Sequence, residues 1–349
     1  MLYTKEEMVL LSMMYAKIKK ERYTVPFFNP IILSEAFRQS IEKNLSMFDK
    51  ANTDKIIRAV NKSCREKYQN EELLKSAGEL KAYLATMNYK KNIDLAKSEI
   101  EVAEKHKINI ITYFDENYPE HLKKLNSIPF VLYVIGQLPS QEVLMKSLAI
   151  IGSRNPEKRY GNQIAEITGK YLLKNGWYNI SGLAAGCDEF GHKGSLGATG
   201  AILGQGLATP IFPMENKKLA AEMIKRNGFI MSEQPPSTRV NAVALVARDR
   251  LQSAITKGII VIETSMRSGT LHTVKFALEQ GKAIFVVDVD HIEEIKCDKD
   301  VQGNVELLNK NKPLSTNVYI SVEEKQRIIG LVHSTELDKY FPILEKMSL

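Results

Sequence analysis

Three short segments of this chain put small residues, hydroxyls and an arginine where anions are commonly held. Ile151-Gly152-Ser153-Arg154, Ser181-Gly182-Leu183-Ala184-Ala185-Gly186-Cys187-Asp188 and Glu263-Thr264-Ser265-Met266-Arg267-Ser268-Gly269-Thr270 each follow a strand-like run and lead into a helical pattern. A small-residue turn between strand and helix aims backbone N–H groups and a helix dipole at negative charge. Gly152 allows a tight turn and close approach to the backbone, Ser153 offers a hydroxyl, and Arg154 a planar fork suited to phosphate oxygens. A fourth segment, Ala247-Arg248-Asp249-Arg250, carries two arginines at i and i+2. They cannot share one helix face, so one is expected at the ligand cleft and the other in a local pair. The chemistry these residues suggest is phosphate binding.

Other chemistries find less support. Gly186-Cys187-Asp188-Glu189-Phe190-Gly191 begins like a Walker A loop, but His192 stands where the lysine belongs, and Gly194 follows Lys193 where Ser or Thr is required. Gly204-Gln205-Gly206-Leu207-Ala208-Thr209 lacks the third glycine of a dinucleotide fingerprint. There is no GxSxG elbow and no HExxH, and no acid pair has a spacing that compels a general acid/base reading. Asp188 reads as a helix cap, His192 as a structural histidine, and Glu263 as a cap or ion-pair partner. No catalytic residue, metal or cofactor is expected.

These loops need a scaffold. Strand candidates fall at 147–152, 178–181, 200–204, 228–232, 258–263 and 283–289, with helices between them near 160–175, 188–198, 216–227, 241–256 and 270–281. Such alternation predicts an α/β fold: a mostly parallel sheet with helices on both faces and its site at the carboxyl ends of the strands. Two further strands, 108–113 and 130–135, precede it, and Gln302-Gly303-Asn304 reads as a turn before a short helix at 305–309. Residues 1–105 read as a helical domain with apolar spacing of three and four, 106–318 as the sheet domain, and 319–349 as a short C-terminal extension packed on the sheet.

The whole chain has 349 residues, 44% hydrophobic and 26% charged, and a net charge of +7. Most of that excess lies in the first third, which reads as charged, solvated helix faces, with a basic arm that touches DNA as the alternative. No apolar run nears the roughly 20 residues of a membrane helix. Cys64, Cys187 and Cys297 are far apart, and the N-terminus lacks a signal-peptide order. A reducing, cytoplasmic setting is therefore expected.

Taken in order, the segments resemble the DNA-processing protein A family (DprA, also called Smf). The resemblance runs from about Ile108 to Leu308. It is carried by Tyr118-Pro119, Ile128-Pro129, Gly152-Ser153-Arg154, Tyr160-Gly161, Ser181-Gly182-Leu183-Ala184 with Gly186, Asp188 and His192, Pro213 with Asn216, Ser232-Glu233, Arg248-Asp249-Arg250 and Ser268-Gly269-Thr270-Leu271. It implies an extended Rossmann-like fold that binds single-stranded DNA, protects strands in transformation, helps load a RecA-type recombinase and forms a homodimer. By motif, Gly152, Ser153 and Arg154 would hold one phosphate, and Ser181, Gly182 and Gly186 a neighbouring one. Lys217 and Arg248 would add charge at the rim, and Ser268, Gly269 and Thr270 form the third anion-binding loop. Asp249 departs from the family's usual Asn between two arginines. The alternative reading is a sensor or hydrolase of a small nucleotide on the same scaffold.

Overall fold

A computed structural model describes residues 2–16, 25–156, 160–292 and 299–347. Cys297 lies outside the described residues. The chain divides into two compact units, the first taking in Met1–Tyr133, Gln205–Thr209 and Glu233–Arg239.

The first unit is mainly helical: α1 Lys5–Tyr15, α2 Pro30–Glu42, α3 Thr53–Ser63, α4 Glu71–Thr86 and α5 Tyr89–Lys105. The starts of these helices are written in local residues. Thr4 and Glu7 form a capping box on α1, while Asn29, Asn70 and Asn88 accept from the first-turn N–H groups of α2, α4 and α5. The three-and-four spacing reaches the core as expected: Ile56, Ile57 and Val60 of α3, and Leu73, Ala77, Leu80 and Leu84 of α4, are buried. Tyr3, Phe37, Phe114 and Phe130 add an aromatic cluster in edge, tilted and stacked contacts. Strand β1 (Asn109–Thr112) also lies here, and the chain enters the second unit within β2 (Val131–Gly136).

The second unit is the α/β body. Its strands are β3 Ser147–Ile151, β4 Tyr178–Ser181, β5 Thr199–Ile202, β6 Phe229–Ser232, β7 Gly258–Val261 and β8 Ala283–Val287, then the two-residue β9 (Leu314–Ser315) and β10 (Tyr319–Ile320), and β11 Ile328–Leu331. Its helices are α6 Gln141–Leu144, α7 Tyr160–Lys174, α8 Cys187–Gly194, α9 Lys217–Lys225, α10 Ala242–Ile255, α11 Thr270–Glu279, α12 Gln302–Leu308, α13 Val322–Lys325 and α14 Phe341–Lys346. Seven strands run in the order β6-β5-β4-β3-β7-β8-β11, every neighbouring pair parallel. Along β3, Leu148 and Ile150 enter one core, and Ala149 and Ile151 the other. Being buried on both faces is why residues 148–151, β7 and β8 read as unbroken apolar runs. From β3 the chain winds outward through β4 to β6, then returns to lay β7 on the other side of β3. That reversal opens a crevice at the carboxyl ends of β3 and β7.

Three details differ from the sequence reading. The helix expected over 188–198 is α8, Cys187–Gly194, because the chain turns out again through Gly197 at φ +105. Gln302-Gly303-Asn304 opens helix α12 and is not a turn. Gly303 is there for close packing: a Cβ would stand 2.4 Å from the carbonyl oxygen of Thr264. Strand β11 was not anticipated; it pairs in parallel with β8 from Ile328 to Leu331. Among the described residues no helix is long and apolar enough to cross a membrane.

Candidate functional site

A cavity of about 550 Å³ fills the crevice at the reversal of strand order. Gly152, Ser153 and Arg154 line it from the loop after β3, and Ser268, Gly269 and Thr270 from the start of α11. Arg248 and Asp249 of α10 and Asp188 of α8 complete the charged wall. Seven of the eleven residues expected to bind phosphate therefore meet around one space. Ser181, Gly182, Gly186 and Lys217 are not among its lining residues.

The two lining loops are stitched together by one backbone and one side-chain hydrogen bond. Ser153 N–H donates to the carbonyl of Glu263 at 2.7 Å, and Thr270 Oγ1 donates to the carbonyl of Gly152 at 3.2 Å. Ser268 Oγ accepts from Thr270 N–H at 3.2 Å and donates to Thr270 Oγ1 at 3.0 Å. Gly152 is required for packing: a Cβ would lie 2.6 Å from Cys187 Sγ and 2.9 Å from the Glu263 carbonyl oxygen. Arg154 is exposed at the mouth. It carries the positive charge most open to an incoming anion.

The loop after β4 acts from beneath. Ser181 is fully buried, and its hydroxyl donates to the carbonyl of Ile150 at 2.6 Å. Gly182 N–H donates to Asp188 Oδ2 at 3.0 Å, and Ala184 N–H reaches the same oxygen at 3.5 Å. Asp188 is thus not the helix cap: α8 starts at Cys187 with Gly186 in the cap position, and the carboxylate turns back onto the loop. Gly186 holds φ +79, and a Cβ there would meet the Ser153 carbonyl oxygen at 2.3 Å. Asn216 Nδ2 donates to the carbonyls of Leu183 and Ala184 at 3.0 and 3.2 Å. Lys217 follows at once, exposed, as the first residue of α9.

The two arginines of α10 part company as their spacing requires. Arg250 is buried and donates to the carbonyl of Ala247 at 2.8 Å. Arg248 reaches the cavity but is itself buried; Nη1 donates to the carbonyl of Ile202 at 3.1 Å, and Nε lies 3.1 Å from Asp249 Oδ1. Its guanidinium lies against the bare Cα of Gly182, where a Cβ would fall 1.4 Å from Nη1.

Acids outnumber bases by one in this wall. Arg154 and Arg248 face Asp188, Asp249 and Asp300. Burial pushes the Asp249 carboxyl up to about 6; Arg248 opposes the rise, Asp188 adds to it, and Arg154 opposes it. Asp188 is also raised by burial, against the pull of Arg248. His192 is fully buried and held down to about 3, first by burial and then by Arg248. Thr199 Oγ1 donates to the carbonyl of Asn179 and so accepts from His192 Nδ1, 2.7 Å away, which makes this a neutral core histidine. Among the described residues no group of three or more His, Cys, Asp or Glu could hold a metal ion.

One positioning residue escaped the sequence reading. Asn304 is fully buried; its Oδ1 accepts from Thr264 N–H at 2.7 Å, and its Nδ2 donates to the carbonyls of Ile262 and Val287 at 2.9 and 3.0 Å. It ties the loop after β7 to the end of β8. A polar residue between Val301 and Val305 in a segment packed on the sheet was the available signal.

Comparison with known proteins gives this geometry a setting. The family model for DNA recombination-mediator protein A matches residues 109–323. The DNA processing protein DprA of Bacillus subtilis is 36% identical over 182 residues, 52% of this chain and 60% of that protein. Protein Smf of Escherichia coli is 35% identical over 182 residues, 51% of this chain and 48% of that protein. The match thus spans about half to three fifths of these relatives' length. The X-ray structure of DprA from Streptococcus pneumoniae superposes with a TM-score of 0.66 at 20% identity, covering 97% of this chain and 98% of that one. DNA processing protein A from Helicobacter pylori, described for its single-stranded DNA binding mode, gives a TM-score of 0.53 at 24% identity over 68% of this chain and 96% of that one. The two structures share the fold.

Proposed function

The chain belongs to the DNA recombination-mediator protein A family, and from that premise we propose that it binds single-stranded DNA and acts in DNA processing without catalysing a reaction. The observation that carries the reading is the meeting of Arg154, the Ser153, Ser268 and Thr270 hydroxyls and the N-terminus of α11 at the switch point of a parallel sheet. A guanidinium fork, hydroxyl donors and a helix dipole suit a phosphodiester, which needs to be held and not cleaved. Gly152 keeps the loop close-packed, Ser181, Gly182 and Gly186 hold the neighbouring loop in shape, and Lys217 and Arg248 supply further positive charge. Protection of strands, delivery to a RecA-type recombinase and assembly as a homodimer belong to the same proposal and are supported only by the family resemblance.

Fluorescence anisotropy with labelled single and double strands at two salt concentrations tests it. Binding that prefers the single strand and weakens steeply with salt is expected, because each neutralised phosphate releases counterions. Indifference to strand state overturns it. The rival reading, a sensor or hydrolase of a small nucleotide, draws support from the cavity of about 550 Å³, a size that encloses a small ligand. A thermal-shift screen separates the two: stabilisation by mononucleotides and none by oligonucleotides favours the rival.

A further inference from the structure

The first unit carries a second cationic site, separate from the pocket. Arg58 and Lys62 of α3 and Arg65, just beyond its end, are exposed and follow at i, i+4 and i+7. At 3.6 residues per turn that spacing puts all three on one face. They line one concavity of about 340 Å³ together with Asn61 and Glu66.

The opposite face of the helix fixes which way this one looks. Ile56, Ile57, Val60 and Cys64 are buried in the core of the unit, so the helix cannot roll to hide its cations. A five-residue π-helical turn, Cys64–Tyr68, continues α3 and ends at Gln69 with φ +47. Such turns interrupt the regular ladder and are frequent at functional sites.

The nearby acids leave this charge largely uncompensated. Asp54, one turn before Arg58, gives its carboxylate to Lys81 at 2.7 Å; Arg58 Nε donates instead to the carbonyl of Asp54 at 3.2 Å. Glu66 lies 3.9 Å from Lys62, both side chains well exposed, a pairing that contributes little in water. Asn61 is half-buried, and its Oδ1 has no hydrogen-bond partner among the described residues.

We propose that the Arg58–Lys62–Arg65 face is a second nucleic-acid contact, binding the sugar-phosphate backbone of a strand independently of sequence. The three cations span seven residues, about 10 Å of helix, which suits a chain of regularly spaced anions better than one small anion. No large apolar side chain lines the concavity to enter a bilayer or anchor a protein partner. The inference rests on the reading of the protein as DNA-binding, but not on the pocket being where DNA binds.

The test compares the full chain with the triple variant R58A/K62A/R65A and with R154A, each titrated by anisotropy against a short and a long single strand over a range of salt. The triple variant is expected to keep its fold by circular dichroism. Its plot of log affinity against log salt on the long strand should be shallower by about 2, three single-strand phosphate contacts at about 0.7 each. Binding of the short strand should change little. The conservative R58K/R65K variant should keep the wild-type slope, which separates charge from any local folding effect. An unchanged slope in a folded triple variant overturns the proposal, and so does tighter binding of anionic vesicles than of oligonucleotides through these residues. If R154A alone abolishes binding while the triple variant behaves as wild type, the pocket reading stands and this one fails. If the triple variant loses binding and R154A does not, the second site stands and the pocket reading fails.

Discussion

Arg154 is the residue on which the pocket's affinity should depend most. It is exposed at the mouth, while Arg248 is buried and already bonded to Ile202. Arg154→Ala should weaken single-strand binding by about 10- to 100-fold, the size of one charge-assisted contact of about 1.5–3 kcal/mol, with the melting temperature little changed. Titration and thermal melting read the two effects separately. Asp249 sets the pH dependence. Its carboxyl, raised to about 6 by burial, disfavours the charged form in the fold. The stability it contributes is full below the unfolded value near 4 and is lost as pH rises through about 6. For a polyanion the sign is the same: below about 6 the carboxyl is neutral, releases its hold on Arg248, and the wall becomes more positive. Affinity should therefore rise as pH falls from 7 to 5, and Asp249→Asn should bind more tightly at pH 7 and flatten that profile. An Asp249→Asn protein with the wild-type pH profile contradicts the assignment.

At the scale of elements, the loops owe their shape to glycines and carboxylates that face inward. Gly186→Ala would force a left-handed φ on alanine and drive its Cβ toward the Ser153 carbonyl, neither of which can relax cheaply. A loss of about 1–3 kcal/mol is expected, read by denaturant unfolding, together with weaker DNA binding because the Arg154 loop shifts. The elements themselves were legible in the sequence to the extent that their signals were local. Residues 148–151 and Gly258–Val261 are apolar throughout because both faces are buried, and the turns after them carry glycine or serine, so strand, loop and helix could be placed. What stayed hidden depends on contacts distant in the chain. Ile328–Leu331 is only four residues long and becomes a strand by pairing with β8. Gly303 reads as a turn glycine until Thr264 is brought against it. Asp188 reads as a cap because it stands at a helix start; that its carboxylate faces Gly182 follows from the loop's path and not from its neighbours in sequence.

At the scale of the whole molecule, the positive charge is modest at +7, and the pocket wall sets two arginines against three aspartates. Long-range attraction alone would then give weak and unselective binding, so the contacts themselves must supply the preference for a single strand. At a fixed oligonucleotide concentration the melting temperature of the wild-type protein should rise by more than that of the Arg154→Ala variant, since the stabilisation by a ligand grows with its affinity for the folded state. The most direct measurement is anisotropy of wild type and Arg154→Ala with matched single and double strands at low and physiological salt. Tighter wild-type binding to the single strand, a steep loss with salt, and a slope shallower by about 0.7 in the variant are the predicted results. Equal affinity for both strands, or a variant indistinguishable from wild type, would contradict the account.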